Sequence, residues 1–229
     1  MWWCHQVGHQ EFAWYLRTRY QIINIFADIW NTDINNLIVS FDGACYIKEN
    51  NSKYNTKCWT HTDQAPKQNN LICYQGFISL TDNTFNSFLV YEGSHKLHNQ
   101  YFKYINKEND TKNWQLIDKL FLETIKHKKK ILYIPKGSLV LWDSRTFHQN
   151  IHAANEERIV QYISMLPKNS TKNTITQQKK RLKYFNELRT TSHWTYPIKV
   201  NSLQPRTFGN SDLLIDYSNL SKPNLDKYL

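Results

Sequence analysis

Cys58-Trp59-Thr60-His61-Thr62-Asp63-Gln64 and, much later, Trp142-Asp143-Ser144-Arg145-Thr146-Phe147-His148 are the two segments around which this chain is organised. On extended backbone, residues two apart point to the same side, so His61 and Asp63 present an imidazole and a carboxylate together. His148 supplies a second imidazole at the end of a strand-like run. Two histidines and one carboxylate on one face of an ion form the facial triad of non-haem iron sites. The two segments therefore predict a metal site.

The segment after His148 contains two further candidate side chains. Arg158 lies ten positions later, in a run from Arg158 to Leu166 whose alternation predicts a strand. A guanidinium holds a carboxylate through two parallel charge-assisted hydrogen bonds, so Arg158 is a candidate anchor for the far carboxylate of a 2-oxo acid. His152 lies four residues after His148 and shares its face on a strand, so spacing alone leaves either histidine open as the third ligand.

The composition indicates a folded domain without a targeting segment. The chain has 229 residues, 40% of them hydrophobic and 14% aromatic, which is enough to bury a core and excludes a disordered chain. The four cysteines form no CxxC pair, which argues against a disulfide framework or a structural zinc site. Residues 1–5 lack the pattern of a signal peptide, and no apolar run is long enough to span a bilayer. We therefore expect a cytoplasmic protein that does not associate with membranes.

The formal net charge of +10 favours anionic partners. The basic runs are Lys126-His127-Lys128-Lys129-Lys130 and Lys179-Lys180-Arg181-Leu182-Lys183, and we interpret both as solvated faces. No zinc-finger spacing or nucleic-acid motif accompanies them, so specific nucleic-acid binding is unsupported. The partner expected is a small-molecule or modified-macromolecule substrate, with only a loose preference for an anion.

The periodicity predicts one domain that is mainly β with flanking helices. Apolar residues at spacings of three and four predict helices over about 9–30, and a second helical candidate covers about 114–125. Short β-type runs fill about 37–166, which favours a jelly-roll barrel, and a basic helix and a polar tail occupy 171–229. Asp42-Gly43 predicts a hairpin turn or bulge between two of the strands, and Asp82–Asn86 is predicted to be a loop.

Four motifs in order along the chain resemble the phytanoyl-CoA dioxygenase family. They are Trp59-Thr-His-Thr-Asp-Gln64, Tyr91-Glu-Gly-Ser-His-Lys96, Gly137-Ser-Leu-Val-Leu-Trp-Asp-Ser-Arg-Thr-Phe-His148 and Arg158. The resemblance covers roughly 37–166, and Arg189–Trp194 is similar to a segment of uncharacterised viral and microbial-eukaryote members. The family consists of Fe(II)- and 2-oxoglutarate-dependent oxygenases with a double-stranded β-helix (cupin-like) core, so the resemblance implies that barrel here.

The resemblance also implies roles for individual residues. It matches His61, Asp63 and His148, in preference to His152, to the family's iron ligands, and Arg158 to the arginine that binds the distal carboxylate of 2-oxoglutarate. Asn150 and Gln75 are the further co-substrate contacts expected, and Gly93-Ser94-His95 matches a structural turn. Further candidates for the pocket wall are Trp59, Gln64 and Tyr74.

The implied activity is hydroxylation of an unidentified substrate by Fe(II), 2-oxoglutarate and dioxygen, with decarboxylation of 2-oxoglutarate to succinate. The chain departs from the family pattern at Glu92, where proline is usual, at Asn150, where many members have serine, and in the ten-residue spacing from His148 to Arg158. One alternative is a non-catalytic jelly-roll module that binds a polyanion, either nucleic acid or an acidic glycan. A third hypothesis is a hydrolase or epimerase that uses a divalent ion, but this hypothesis assigns no role to Arg158.

Overall fold

The computed structural model describes residues 6–49, 57–151, 156–200, 204–219 and 221–225. Strands occupy the middle of the chain and helices lie at both ends, as the sequence predicts, while two short helices lie between strands. The α-helices are α1 (Glu11–Arg17), α2 (Tyr20–Trp30), α3 (His98–Tyr104), α4 (Lys119–Thr124) and α5 (Ile175–Asn186). The strands are β1 (Leu37–Val39), β2 (Ala44–Ile47), β3 (His61–Thr62), β4 (Tyr74–Ser79), β5 (Asn83–Tyr91), β6 (Gln115–Leu116), β7 (Lys129–Ile134), β8 (Leu139–Asp143), β9 (His148–Asn150), β10 (Arg158–Ile163) and β11 (Met165–Pro167).

The helices are short. The longest of those described, α5, has 12 residues, whereas a helix needs about 20 apolar residues to cross a bilayer. Within the described ranges, no helix has the length and apolar character of a membrane span.

The chain divides into two compact units, each made of segments that are distant in sequence. The first unit contains the described parts of 1–46, 75–78 and 160–229, and the second contains those of 47–74 and 79–159. The predicted metal ligands, at positions 61, 63 and 148, all fall in the second unit.

The first unit is built on strands that pair across large sequence separations. β1 pairs antiparallel with β11, where Ile38 lies opposite Leu166, and β10 lies between β2 and β4. The hairpin predicted around Asp42-Gly43 is therefore wrong, because β1 and β2 do not pair with each other. The Asp42 carboxylate instead accepts a hydrogen bond from the Gly43 amide, which stabilises the change of direction between them.

The predicted N-terminal helical region consists of two helices. Arg19 is in an extended conformation and separates α1 from α2. Trp14 of α1 packs with Phe41 and Ile198 in a buried cluster. The buried ring of His9 joins this cluster 4.7 Å from Phe41, centroid to centroid, and its Nε2 donates to the carbonyl of Arg189 at 3.1 Å.

The burial of His9 predicts a loss of stability in acid. Burial and the nearby positive charge of Arg17 lower its pKa from 6.5 to about 3. Between these values the unfolded chain binds a proton that the folded chain excludes, so the free energy of unfolding falls as the pH falls below 6.5. Denaturant titrations measure the free energy of unfolding at pH 7.5 and at pH 5.0. Its decrease between these pH values should be about 2 kcal/mol larger in the wild type than in His9→Gln. The exposed His127→Gln variant should behave like the wild type, and equal decreases in all three proteins would contradict the assignment.

The second unit contains a five-stranded sheet in the order β6-β3-β9-β5-β7. Its central strand, β9, pairs antiparallel with both β3 and β5. The loop predicted at Asp82–Asn86 is wrong, because β5 runs continuously from Asn83 to Tyr91 and pairs with β7 with a register shift between Asn83 and Phe88. Asn and Asp favour turns locally, but the pairing on both edges of β5 overrides that preference.

The helix predicted at about 114–125 is also shorter than expected. Gln115 and Leu116 form β6, which pairs with β3, and α4 begins only at Lys119. The Asp118 carboxylate caps this helix by accepting hydrogen bonds from the amides of Leu120 and Phe121. Beneath it lies a buried cluster that includes Tyr101, Phe102, Ile117, Leu122 and Phe147. This core supports the segment that leads into His148.

Candidate metal centre

Strand pairing brings the two predicted histidines together. His61 of β3 lies directly opposite His148 of β9 in the antiparallel ladder. Residues in such cross-strand pairs have Cβ atoms about 5 Å apart and point to the same face of the sheet. Asp63 follows His61 by two residues and returns to that face, and its amide donates to the Ser144 carbonyl at 3.1 Å. Two segments separated by 85 residues (148 − 63) thus converge on one point.

The three side chains have the spacing of ligands around one ion. The Nε2 atoms of His61 and His148 lie 3.6 Å and 3.3 Å from Oδ2 of Asp63, and the ligand atoms of the three residues are all within 4.8 Å of one another. Ligands about 2.1 Å from one ion are about 3.0 Å apart at right angles and about 3.4 Å apart at tetrahedral angles. All three side chains are buried. Two imidazole nitrogens and a carboxylate oxygen therefore fit a divalent transition metal such as ferrous iron.

Backbone carbonyls orient both imidazoles. Nδ1 of His61 is 3.2 Å from the carbonyl oxygen of Trp59, and Nδ1 of His148 is 2.9 Å from that of Thr146. A carbonyl can only accept, so each Nδ1 carries the proton and donates it. Each Nε2 then has its lone pair directed at the site, which is the tautomer that a metal ligand requires.

The surroundings of His148 favour its neutral form, which is the form that can bind a cation. Burial, followed by repulsion from His61, lowers the pKa of His148, although the Asp63 carboxylate opposes this shift. The imidazole is therefore neutral at physiological pH. A carboxylate oxygen beside two imidazole nitrogens is a donor set that suits a divalent transition-metal cation.

Aromatic rings enclose the centre on two sides. The Trp59 ring stacks on His61 at 4.9 Å with an interplanar angle of 18°, and Trp114 approaches the same imidazole at 5.4 Å. Phe88 and Trp142 each lie 5.2 Å from the His148 ring. Trp59 therefore contacts a predicted ligand, and its place in the pocket wall stays a prediction. These rings fix the orientation of the imidazoles and limit the access of water to them.

A cavity of about 350 Å³ borders this aromatic wall. Phe88 and Trp142 line it as well as contacting His148, and Tyr74 lines it as predicted for a pocket residue. Glu92 and His95 add polar groups to the lining. Its volume falls at the lower end of the range for small-molecule sites.

Gln149 connects the two ligand-bearing segments and was not recognised from the sequence. Its Oε1 accepts hydrogen bonds from Oγ1 of Thr60 at 2.7 Å and from the amide of Trp59 at 3.2 Å. Alternation along β9 places Gln149 on the face opposite His148, which the sequence shows, but its partners immediately before β3 become evident only from the strand pairing. These two hydrogen bonds therefore help to fix the strand register that places His61 opposite His148.

Replacing Gln149 by leucine should destabilise the protein. Thr60 is buried, so its hydroxyl and the Trp59 amide would lose their acceptor, and we expect the free energy of unfolding to fall by about 1–3 kcal/mol. The double variant Gln149→Leu/Thr60→Val removes the stranded hydroxyl and should recover part of the loss. Denaturant unfolding of both variants measures this. A Gln149→Leu protein within 0.5 kcal/mol of the wild type (about the scatter of a neutral surface change) would refute the role of Gln149.

Arg158 lies beside the predicted co-substrate contact. Its side chain is fully buried; Nη2 donates to Oδ1 of Asn150 at 3.0 Å and Nε donates to Oδ1 of Asn83 at 3.2 Å. Asn150 is two residues after His148 on β9 and shares its face, one strand step of about 7 Å away. The guanidinium therefore binds a side chain on the same face of β9 as His148. Asn83, which was predicted to lie in a loop, is the partner that the sequence did not reveal.

The remaining predicted residues have separate outcomes. Gln75 is buried on β4 in the first unit, and its co-substrate role stays a prediction. The place of Gln64 in the pocket wall stays a prediction. Its Nε2 donates to the carbonyl of Asn70 and its Oε1 accepts from the Ser144 hydroxyl, so it connects two segments near the site. His152 lies outside the described residues.

The Gly93-Ser94-His95 turn has the structural role expected of it. Gly93 has a φ of +71°, a left-handed conformation that glycine adopts without strain. The Ser94 hydroxyl accepts a hydrogen bond from the Phe147 amide at 2.8 Å, so the turn holds the residue that precedes His148. His95 is not part of the His61–Asp63–His148 group found among the described residues.

The fold and the site together define a mainly β-sheet protein with a buried histidine–carboxylate–histidine group that could hold a metal ion. No protein-family model matches the chain. A curated relative from Aspergillus versicolor, Ava biosynthesis cluster protein O, is 31% identical over 175 residues, which are 71% of this chain and 56% of the relative. The chain thus spans little more than half the length of the curated relative that it matches.

Two solved structures are also similar to the chain. A non-heme monooxygenase, solved as a ThoJ–nickel complex, has a TM-score of 0.48 and 13% identity over 71% of this chain and 56% of its own. EvdO2 from Micromonospora carbonacea var. aurantiaca, solved with 2-oxoglutarate, has a TM-score of 0.42 and 14% identity over 63% of this chain and 57% of its own.

Proposed function

We propose that this protein is an Fe(II)- and 2-oxoglutarate-dependent dioxygenase that hydroxylates a substrate still to be identified. The observation that carries the proposal is the convergence of the two Nε2 atoms and the Asp63 carboxylate, with both Nδ1 atoms held by backbone carbonyls. When bound together, ferrous iron, 2-oxoglutarate and dioxygen supply oxidative decarboxylation to succinate and carbon dioxide, coupled to hydroxylation of a C–H bond. The protein binds and orients these groups.

The residues of the chain have distinct tasks in this proposal. His61, Asp63 and His148 would hold the ion, and a set of three protein ligands would leave coordination positions for the co-substrate and dioxygen. Arg158 binds the distal carboxylate of 2-oxoglutarate through its guanidinium, and Asn150 orients that guanidinium and contacts the co-substrate. The aromatic wall excludes water from the reacting groups.

The cavity of about 350 Å³ is the proposed entrance for the substrate. Phe88 and Trp142 line it and also contact His148, so a substrate bound there would lie against the metal-binding imidazole. Its wall combines apolar side chains with the polar groups of Glu92, His95 and Asp143, and the two carboxylates disfavour an extended polyanion, so a small organic molecule fits better.

The broader assignment follows from the sequence motifs. We propose that the chain is a single domain, a double-stranded β-helix of the phytanoyl-CoA dioxygenase type, with Gln75 as a further co-substrate contact. Against the alternative of a polyanion-binding module, Lys130 of one basic run forms an ion pair with Glu92 at 2.6 Å, which offsets part of the charge of that run.

Thermal denaturation with added ligands tests the proposal directly. Mn(II), a redox-stable substitute for ferrous iron, should raise the melting temperature, and 2-oxoglutarate should raise it further only when the metal is present. With Fe(II), the wild type should then release succinate from 2-oxoglutarate, at least slowly. A protein that binds neither Mn(II) nor 2-oxoglutarate under these conditions would overturn the assignment.

A further inference from the structure

A second cavity, in the first unit, has features of a ligand site that the proposed reaction does not use. It has a volume of about 300 Å³. Three aromatic rings line it, those of Trp14, Phe41 and Phe185, and they pack within 6.0 Å of one another, centroid to centroid. Such walls suit a flat apolar group of modest size.

One face of α5 supplies the rest of the lining. Gln178, Arg181, Leu182 and Phe185 recur at spacings of three, one and three residues, which places them on one side of a helix. The prediction that Lys179–Lys183 is a solvated face is therefore wrong for Arg181. Burial of its guanidinium lowers its pKa from 12.5 to about 10, which still leaves it charged at neutral pH.

The cavity has hydrogen-bond donors without acceptors. Nη1 of Arg181 and Nε1 of Trp14 are both buried, and neither has a hydrogen-bond partner within the described part of the chain. The Arg181 guanidinium instead lies over the Phe41 ring at 4.2 Å. A buried charged donor without a partner costs several kcal/mol of desolvation, so native structures normally supply an acceptor.

The charge around the cavity is positive and uncompensated. Lys168 lines it together with Arg181, and no acidic side chain is among the described residues of the lining. The positive charge of Arg181 also lowers the pKa of the neighbouring His9 and Arg17. The Asp42 carboxylate offsets the charge of Arg17, whereas burial lowers the pKa of Arg181. An anion would restore the balance.

We propose that this cavity is a binding site for a small aromatic carboxylate, separate from the metal centre. The Arg181 guanidinium receives the carboxylate, the Trp14 indole donates a further hydrogen bond, and the rings of Phe41 and Phe185 enclose the apolar body. Arginine rather than lysine suits this role, because its planar fork matches a carboxylate and also packs on an aromatic face.

The test uses two probes that differ in charge and hardly in shape, 4-(trifluoromethyl)phenylacetate and its amide. Their dissociation constants are measured by ¹⁹F NMR on the metal-free protein, so that coordination to the ion cannot contribute. The carboxylate should bind the wild type at least about tenfold more tightly than the amide, because only the anion makes charge-assisted bonds to Arg181. Equal affinities for the two probes would overturn the proposal without any mutation.

Variants then locate the site. Arg181→Gln should abolish the preference for the carboxylate, and Lys180→Gln, which removes one exposed charge from the same helix, should retain it. Thermal unfolding confirms that each variant is folded. If the preference persists in Arg181→Gln, or disappears instead in Arg158→Gln, the carboxylate binds elsewhere and the proposal is wrong.

Discussion

Replacing His148 by alanine is expected to abolish succinate formation and to weaken metal binding by more than about 100-fold. The loss of an outer partner of a metal ligand typically costs 10–100-fold in affinity, and His148 would donate directly to the ion. The variant also leaves the Asp63 carboxylate buried beside a single imidazole. Titration with Mn(II), followed by calorimetry, gives the affinity, and an assay of succinate gives the turnover.

His95→Ala is the matched control for that experiment. His95 lines the cavity that borders the aromatic wall but is not in the ligand group, so its loss should change Mn(II) affinity by less than about twofold. Comparable losses in both variants would show that the imidazole at position 148 has no special relation to the metal, and the proposed centre would have to be abandoned.

Replacing Arg158 by glutamine is expected to weaken 2-oxoglutarate binding by about 100-fold while Mn(II) binding survives. The estimate corresponds to the loss of about 2.8 kcal/mol, the worth of one or two charge-assisted hydrogen bonds. Arg158→Lys keeps the positive charge but loses the planar guanidinium. Its affinity for 2-oxoglutarate should therefore lie between those of the wild type and Arg158→Gln. The dissociation constant of 2-oxoglutarate for the Mn(II)-loaded protein measures the effect.

The buried position of Arg158 makes a control for folding essential. Retained Mn(II) affinity in Arg158→Gln shows that the metal centre is assembled. Lys130→Gln removes an exposed positive charge of the same unit and should leave 2-oxoglutarate affinity within about twofold, because surface charges are screened. An unchanged affinity in Arg158→Gln would mean that another group holds the distal carboxylate.

The sequence predicts which three side chains converge in the second unit because their relation is partly local. His61 and Asp63 obey the two-residue period of a strand, so their common face can be read directly. The pairing of His61 with His148 is not local. Spacing alone does not distinguish His148 from His152, and only the resemblance to the family motif favours His148. Which histidine lies opposite His61 depends on strand register, which tertiary packing determines.

The failures of prediction have a common physical origin in long-range contacts. Asn83 has turn chemistry, yet it lies on β5 and receives a hydrogen bond from Arg158, 75 positions away. The helical periodicity near Trp114 is overridden by the pairing of β6 with β3 and by the Asp118 cap. The wrong prediction for Arg181 has a local cause instead. Arg181 shares one helical face with Leu182 and Phe185, and this spacing is present in the sequence within the run of basic residues.

The single register pair between His61 and His148 has a consequence for folding as well as for binding. β3 has only two residues, so few backbone hydrogen bonds hold it against β9. A metal ion bound by both strands would act as a removable cross-link between segments 87 positions apart (148 − 61). Chelation would then loosen this part of the sheet, and metal supply in the cell would set how long the folded protein survives.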